Sequence, residues 1–497
     1  MLRYLRPSMS PMYLWVDAIC LNQQDSAEKS SQIPLMGAIY EQASKVHIWL
    51  GLDGDGSARK NFAFFRGMCA IHPSNSKHKD AVDGLKKILG ENPELQLGNF
   101  LARPWFSRRW ILQEAALAKH PTVHCGDENQ SWLFLKHGMV NLSKILEGSS
   151  LNFSDRSVNT LNSFRSLVVG RHHMLDLLWN FHTADCEEPK DRLGALYGLC
   201  DETTLNSPNG QHYQYEIWSE FFTAQALEYM LLESGKFFLF HVLAFGSLSE
   251  RDSSLPSWVP DWTNQRQHVN FISHYPEAKC LDQGITLSNG YGSVQFLNVS
   301  YLGHIEYTLS SGDDWSTTLE KLNWFTRGKH EPYKSYIHEC IRHQRRHFTR
   351  GRVTVCLAAS MLSVLHDEFA GYQSLVENVL LSATGIHEMY DNTYEFFDST
   401  FERKVFEQLN ETLKAYCLFQ TDLGFIGFGP SRLQAAGNVH ICFLGHPRST
   451  ELEPEFTIGF AIGSLKGEGT EGRLLGPCFL GQEVSTGKLT TRSFEIY

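Results

Sequence analysis

The segment Arg103–Glu114 (RPWFSRRWILQE) brings together a carboxylate, two indoles and three guanidinium groups. A carboxylate can stabilise or capture a developing positive charge, and an indole face can stack on a flat ring. A guanidinium binds phosphate oxygens through paired hydrogen bonds. Trp110 and Glu114 are spaced i, i+4, which places both on one face of a helix. Glu114, Arg103, Trp105, Arg109 and Trp110 are therefore groups that could act on or bind a ligand.

Structural roles compete with this interpretation. Glu114 could pair with an arginine of the neighbouring turn or loop, and Trp110 could lie in the core. The sequence leaves both readings open.

Asp17 is a further candidate ligand-binding residue. The apolar run Leu14–Ile19 predicts a buried strand, and Asp17 lies near its end, at the edge where α/β proteins bind ligands. Alternatively, Asp17 caps the loop that follows. Asn22 and Gln23 either line the same cleft or bind backbone groups of that loop.

Several common sites are not indicated. His172 and His173 are adjacent, so on a regular element they point apart and make a poor metal site; no metal is predicted. The glycine-rich loop 51–56 lacks the spacing and the Lys-Ser/Thr of a phosphate-binding loop. No G-x-S-x-G sequence supports a serine hydrolase.

The elements that must position these residues are indicated by local patterns. Val46–Leu50 predicts a buried strand that ends in the glycine-rich loop. Between the two predicted strands, Asp25 and Glu28 have capping-box spacing for a helix, although Pro34 suggests that the regular turn begins later. Strand, helix and strand in this order indicate a parallel sheet. Pro104 and Ser107 predict the start of the helix that carries Glu114.

The net charge, the apolar stretches and the cysteine spacing limit which partners and which cellular compartment the sequence predicts. With 497 residues and a net charge of -11, the chain has no general attraction for nucleic acid or anionic lipid. The dense basic run Arg342–Arg352 is interpreted as a solvated helix end or loop. No apolar stretch is long enough to span a membrane. The 11 cysteines include no C-x-x-C pair, which is typical of reduced thiols in the cytoplasm. We therefore expect a cytoplasmic protein without nucleic-acid or membrane partners.

Several segments, in order, resemble the fungal heterokaryon-incompatibility (HET) domain family. Arg103–Glu114 is similar to the family's closing "R-P-W-F-x-R-x-W-x-x-Q-E" motif. The other similar segments are Leu14–Gln23 (LWVDAICLNQ), Gln32–Gly51 (QIPLMGAIYEQASKVHIWLG), Pro189–Leu199 (PKDRLGALYGL), Leu255–Trp262 (LPSWVPDW) and Gly424–Pro430 (GFIGFGP).

The resemblance implies a module of self/non-self recognition and programmed cell death. Its expected partners are like domains or an upstream recognition protein. The family normally opens with a strand carrying "Y-x-A-L-S-Y-x-W-G" and a helix, and this sequence begins after both, as an N-terminally shortened member would. We therefore expect an exposed sheet edge in the HET part.

HET domains are distantly similar to TIR domains, some of which cleave NAD with a Glu four residues after a Trp. The resemblance implies an alternative function, that of an NAD glycohydrolase, with NAD as its substrate and no required cofactor. It makes Glu114 the candidate catalytic residue. Trp105 and Trp110 would then stack on a flat ring of the ligand, and Arg103, or Arg108 and Arg109, would bind the pyrophosphate. A third alternative is an inert relative that binds a partner.

The predicted fold class is α/β. Residues 1–130 are expected to form the HET domain, a partial doubly wound parallel sheet of the TIR/flavodoxin type. A helical region is expected at 131–265 and an α+β region at 266–497, with helices around 330–415 and a β-rich tail from Tyr416.

Overall fold

The structure is a computed structural model. Its contacts divide the chain into two compact units, Met1–Phe221 and Phe222–Tyr497. The structure describes residues 1–6, 12–71, 78–146, 155–167, 172–200, 217–232, 235–246, 254–266, 279–280, 284–287, 293–310, 416–423, 425–446, 457–465, 470–480 and 489–497.

The first unit is built mainly of helices. They are α1 (Leu2–Leu5), α2 (Asp17–Cys20), α3 (Ser26–Gln32), α4 (Met36–Gln42), α5 (Ala58–Cys69), α6 (His78–Leu89), α7 (Pro93–Leu101), α8 (Pro104–Ser107), α9 (Ile111–Leu117), α10 (Trp132–Leu146), α11 (Asp155–Ser166), α12 (Met174–Asn180) and α13 (Asp191–Gly194), with 3₁₀ turns at Ile33–Leu35 and Tyr197–Leu199.

A three-stranded sheet lies within this unit, in the order β1 (Val46–Trp49), β2 (Pro121–Cys125) and β3 (Glu128–Ser131). β1 and β2 are parallel, with Val46 opposite Pro121, whereas β2 and β3 form an antiparallel hairpin. The connection from β1 to β2 runs through α5–α9, because parallel neighbours need a long crossover. The predicted strand at Val46–Leu50 is confirmed.

The prediction of a buried strand at Leu14–Ile19 is wrong. Residues 12–16 have no regular structure, and α2 follows them. Trp15 is 37% exposed and Ile19 is 68% exposed. A short apolar run has no periodicity that separates a strand from a helix, and here the Val16 carbonyl accepts the Cys20 amide in a helical turn. The parallel pair joins β1 to β2 instead.

The helical segment after Asp25 begins where its cap predicts. The Asp25 carboxylate accepts hydrogen bonds from the amides of Ala27 and Glu28 at 2.9 and 3.1 Å. Glu28 accepts from the Asn22 amide, so the reciprocal half of the capping box is not formed. At Pro34 the helix tightens into a 3₁₀ turn before α4 continues, because proline lacks the amide that α-helical bonding needs.

The core of the first unit is rich in aromatic side chains. Trp105 packs on Trp132 and Phe164, with ring centroids 5.5 and 6.2 Å apart, and its ring is parallel to that of Phe164 within 5°. Further buried rings in contact belong to Phe62, Phe64, Phe65, Phe100 and Phe106. This cluster joins α5, α7, α8, α10 and α11, and it fixes the position of α8.

Within its described residues, the second unit contains two helices and a nine-stranded sheet. The helices are α14 (Trp218–Leu232), whose first turn precedes the unit boundary, and α15 (Gly235–Ala244). The strands are β4 (Lys279–Cys280), β5 (Gly284–Leu287), β6 (Val294–Ser310), β7 (Tyr416–Thr421), β8 (Ile426–Pro430), β9 (Val439–His446), β10 (Thr457–Ser464), β11 (Glu471–Leu480) and β12 (Thr491–Ile496).

Antiparallel pairing dominates this second sheet. The strand order is β12-β6-β7-β8-β11-β10-β9-β4, with β5 on β6 and with added pairings of β12 with β11 and of β6 with β9. Its core includes Phe419, Ile441, Phe443 and Leu480, all at most 1% exposed. The helices expected around 330–415, the basic run Arg342–Arg352 and Gly424 lie outside the described residues.

The chain is thus a mixed α/β protein with both helices and sheets. Within the described ranges, no helix is long and apolar enough to cross a membrane.

Candidate functional site

The predicted helix over Arg103–Glu114 is two helices with a break between them. Pro104 begins α8, as predicted, but the chain becomes extended at Arg108, where it forms a parallel bridge with Asp185. The Arg109 amide donates to the Asp185 carbonyl at 2.7 Å. Helix α9 then begins after Trp110. The break turns α8 back toward α9, and it lets Trp105 reach Glu114.

Glu114 lies partly buried on α9 and accepts a hydrogen bond from the indole nitrogen of Trp105, which donates to Glu114 Oε2 at 3.2 Å. Tyr40 of α4 is also near enough to influence this carboxylate. Burial raises the pKa of Glu114 above its ordinary value, against the opposing effect of Trp105 and Tyr40. Glu114 is therefore a carboxylate with an indole donor in a poorly solvated place.

Two more charged groups act on Glu114. Asp17, at the first turn of α2, raises the pKa of Glu114, whereas the exposed Arg108 lowers it. Asp17 is partly buried, and its own carboxylate accepts the Ala18 amide at 2.7 Å. The structure therefore brings Asp17 and Glu114 together although 97 residues separate them in sequence, by subtraction of their numbers. Two carboxylates, one guanidinium and two aromatic side chains form what we call the Glu114 cluster: Asp17, Tyr40, Trp105, Arg108 and Glu114.

Trp110 points away from this cluster. Its indole nitrogen donates to Asp191 Oδ2 at 2.9 Å, 81 residues further along the chain. The bond ties the start of α9 to the start of α13. A stacking role for Trp110 beside Glu114 has no support in this geometry.

Arg109 is 1% exposed, and its guanidinium binds backbone carbonyls. Nη1 donates to the Phe181 carbonyl at 2.7 Å, and Nε donates to the Arg192 carbonyl at 2.7 Å. Burial, and after it the nearby charge of Arg192, lower the pKa of Arg109 to about 9, so the group stays charged at neutral pH. These donors hold the segment 181–192 and leave Arg109 inside the protein rather than facing a ligand.

Arg103 stands at the opposite end of α8. Its Nη1 donates to the carbonyls of Leu50 and Leu52 at 3.2 and 2.9 Å. It therefore fixes the chain as it leaves β1 and enters the loop 51–56. The structure does not bring Arg103, Arg109 or Trp110 to the Glu114 cluster.

Tyr40 and Arg108 are the members of the cluster that sequence analysis did not put forward individually. Tyr40 lies in the segment Gln32–Gly51, and it faces α9 because Gly37, one turn earlier, packs against Gly198. A Cβ atom on Gly37 would lie 2.7 Å from Gly198 Cα. The signal that could have found Tyr40 was the glycine one turn before it, on the same helical face.

Gln113 of α9 lies at the contact between Gly37 and Gly198, which we call the junction. It is 0% exposed, and its Nε2 donates to the Gly194 carbonyl at 3.3 Å. Its Oε1 is buried without a hydrogen-bond partner, and it lies 2.8 Å from where a Gly198 Cβ would be. Segments 32–51, 103–114 and 189–199 therefore meet at one place.

Within the described part of the chain, no group of three or more His, Cys, Asp or Glu side chains could hold a metal ion. The Glu114 cluster instead offers a carboxylate pair able to stabilise positive charge, with Arg108 at its exposed side.

Comparison with known proteins finds related sequences. Residues 1–114 match the family model "Heterokaryon incompatibility protein (HET)". The chain is also 26% identical over 317 residues to "Heterokaryon incompatibility protein 6, OR allele" of Neurospora crassa. That alignment covers 53% of this chain and 46% of the relative, so the chain spans less than half of the relative's length. No solved structure matches the chain.

Proposed function

Because residues 1–114 form a HET domain, we propose that this chain acts in fungal self/non-self recognition and in the programmed cell death that follows it. One observation carries the proposal. Three of the segments that resemble the family, 32–51, 103–114 and 189–199, converge at the contact of Gly37, Gln113 and Gly198. A set of similar segments that packs into one junction is what a shared folded module requires.

Inducible expression of the full chain in a fungal host tests this proposal. We expect loss of viability that depends on the folded first unit, so a Gly37→Val variant, which disrupts the junction, should be harmless. A Gly98→Val variant is the matched control, because no atom lies within 4 Å of a Cβ at that position. Full viability of cells that contain the wild-type protein, at a level confirmed by immunoblot, would contradict the proposal.

The partners that we propose are like HET domains or an upstream recognition protein. We place the protein in the cytoplasm, and the proposal is supported by the reduced thiols of the described cysteines at positions 20, 69, 125, 186, 417, 442 and 478. Size-exclusion chromatography with light scattering tests self-association. A monomer at all concentrations would leave the upstream protein as the partner.

The finer fold proposed for the HET domain is a doubly wound sheet of the TIR/flavodoxin type. The parallel pairing of β1 with β2 across a helical crossover supports it. The antiparallel β3 on the other side of β2 marks the edge of such a sheet. An experimental structure in which β1 has no parallel neighbour other than β2, even in the assembled state, would count against this fold.

A second candidate function is cleavage of NAD by Glu114. The observation that favours it is the placement of Asp17 and Arg108 beside Glu114. In this reaction water adds to the ribose carbon, the bond to nicotinamide breaks, and ADP-ribose, nicotinamide and a proton are released. The Glu114 carboxylate would stabilise the positive charge that develops on the ribose. The Asp17 carboxylate would help to stabilise this positive charge, and Arg108 would bind the pyrophosphate.

The other candidate ligand-binding residues would act indirectly, by holding the structure around Glu114 in place. Trp105 orients Glu114, Arg103 fixes the loop after β1, and Arg109 and Trp110 anchor α9 to the segment 181–192. NAD consumption by the purified full chain, with and without a crowding agent, tests the activity. Consumption by the wild type and none by Glu114→Gln would support it. An equal rate in both would remove Glu114 from the reaction, and the absence of turnover by a folded wild-type chain would favour the inert, partner-binding alternative.

A further inference from the structure

We propose that His47 and His124 form a binding site for one nitrogen-preferring divalent metal ion, of the Zn²⁺, Ni²⁺ and Cu²⁺ class, on the three-stranded sheet of the first unit. The site is separate from the Glu114 cluster, and it does not depend on the function proposed above.

The two imidazoles lie on neighbouring parallel strands. His47 of β1 is opposite Thr122 of β2, and His124 of β2 is opposite Trp49, so the two histidines are diagonal neighbours on one face of the sheet. His47 Nδ1 lies 3.0 Å from His124 Nε2, and the two ring centroids are 5.1 Å apart. The strand register therefore brings together two ring nitrogens that are 77 residues apart in sequence.

The distance between these nitrogens suits a pair of metal ligands. An ion bound to nitrogen at about 2.0–2.1 Å holds two such atoms about 3.3–3.4 Å apart in tetrahedral geometry, and about 2.8–3.0 Å apart at adjacent corners of a square plane. The observed 3.0 Å lies at the border of these ranges, so small rotations of the side chains accommodate either geometry. An imidazole has an ordinary pKa of about 6.5 and is neutral, the form that binds metal, at pH 7.5.

Solvent reaches this pair. The other face of the sheet packs into the core, and its side chains on β1 and β2 are at most 8% exposed: Val46, Ile48, Val123 and Cys125. On the face that carries the histidines, both imidazoles are only partly buried, and the neighbouring Asn129 of β3 is exposed. An ion can therefore enter from solvent, and water can complete its coordination shell.

A bound ion would link β1 to β2. The two ligands come together only when the parallel pair has formed, so the ion binds the folded first unit better than the unfolded chain and stabilises it. Lys45 precedes β1 and is exposed, so solvent screens the repulsion between its ammonium and the ion.

Isothermal titration of the metal-free full chain with Zn²⁺ at pH 7.5 is the direct test. We expect His47→Gln and His124→Gln each to weaken binding by about tenfold or more, because each removes one of two protein ligands. His120→Gln is the matched control, since His120 is exposed and precedes β2. Equal Zn²⁺ affinities in the wild type, His47→Gln and His124→Gln would overturn the proposal.

Asn129→His covers the case in which the two loss variants do not fold. Asn129 is directly opposite His124, and side chains paired in this way have Cβ atoms about 4.5–5.5 Å apart. A histidine there supplies a third imidazole at an exposed position. We expect Zn²⁺ to bind about tenfold or more tightly than to the wild type, with a larger rise of the unfolding temperature. A folded Asn129→His protein that binds Zn²⁺ no more tightly than the wild type contradicts the site.

NMR of the full chain labelled with ¹⁵N in its histidines identifies the ligand atoms. The signals of His47 and His124 are assigned by their loss in the two glutamine variants. We expect Zn²⁺ to shift Nδ1 of His47 and Nε2 of His124, while the second nitrogen of each ring keeps its proton. Shifts confined to other histidines would show adventitious binding elsewhere on the chain, and with that result the pair is a hydrogen bond only.

Discussion

His47 Nδ1 and His124 Nε2 lie 3.0 Å apart across the parallel strands β1 and β2, within hydrogen-bond distance. One ring must donate and the other accept, so the contact requires at least one neutral imidazole. Burial lowers the pKa of both rings, and His47 and then Lys45 lower that of His124 further, to about 4. The pair is therefore a pH-dependent link between the two strands.

We expect the first unit to lose stability as the pH falls from 6.5 toward about 4. In that window the unfolded chain binds more protons than the native chain, because the native pKa of His124 is the lower one. Stability therefore rises with pH through the window and is fully present above 6.5. His124→Gln should flatten this dependence, as measured by the unfolding temperature at several pH values. His120→Gln, at an exposed position, should leave it unchanged; equal slopes in all three proteins would refute the link.

Glu114→Gln should stabilise the first unit at neutral pH. The effect of Glu114 on stability depends on pH in the opposite sense to that of His124. Burial raises the native pKa of Glu114 above 4.5, so the native chain binds more protons in the window just above that value. The stability of the wild type therefore falls as the pH rises through this window. The Glu114→Gln variant does not lose this stability, because its amide does not ionise. We expect an unfolding temperature higher by roughly 2 °C at pH 8 and no gain below pH 4. Glu41→Gln, on the exposed side of α4, is the control. A destabilised Glu114→Gln at pH 8 would contradict the expectation.

Gly37→Ala should destabilise the first unit by about 2–4 kcal/mol. The added Cβ would lie 2.7 Å from Gly198 Cα, and backbone cannot yield as a flexible side chain does. Gly98→Ala in α7 is the control, and we expect it to raise the stability instead of lowering it. Its Cβ meets nothing within 4 Å, and alanine is the better helix former by about 0.5–1 kcal/mol. Calorimetry of both variants tests the contact, and equal melting temperatures would show that α4 and the turn at Gly198 separate easily.

Arg109→Lys should cost about 2–4 kcal/mol although the charge is kept. A lysine ammonium cannot reach the carbonyls of Phe181 and Arg192 with the same fork of donors, and a buried charge with unmade bonds is expensive. Arg59→Lys, at an exposed position of α5, should change stability by less than about 0.5 kcal/mol. Urea unfolding of both variants measures the difference. A similar, small effect in the two would show that the carbonyl contacts contribute little.

The parts of the fold that sequence analysis identified are those with local causes. The strand β1 follows from an apolar run that ends at a glycine-rich loop, and the start of α3 follows from the side chain of Asp25. The error at Leu14–Ile19 arose because an apolar run of that length fits a strand or a helix. In the structure, residues 17–20 of this run form a helical turn.

The site was predicted less completely because its geometry depends on distant contacts. Glu114 and Asp17 were identified by residue type and position, and they do lie near each other. The orientation of Trp110 depends on Asp191, 81 residues away, and no periodicity within α9 encodes that bond. Tyr40 reaches Glu114 because two glycines let α4 approach, which is a property of the packed structure.

The hydrogen bonds from Arg109 to the carbonyls of Phe181 and Arg192 also constrain how two alleles of such a protein can exchange segments. Arg109 lies inside the matched region 1–114, but the carbonyls that it binds belong to residues 181–192. A crossover between two divergent alleles at residue 114 would pair an arginine from one parent with a backbone shaped by the other. Viable recombinants should therefore inherit residues 103–199 as one block, and crossovers should accumulate on either side of it.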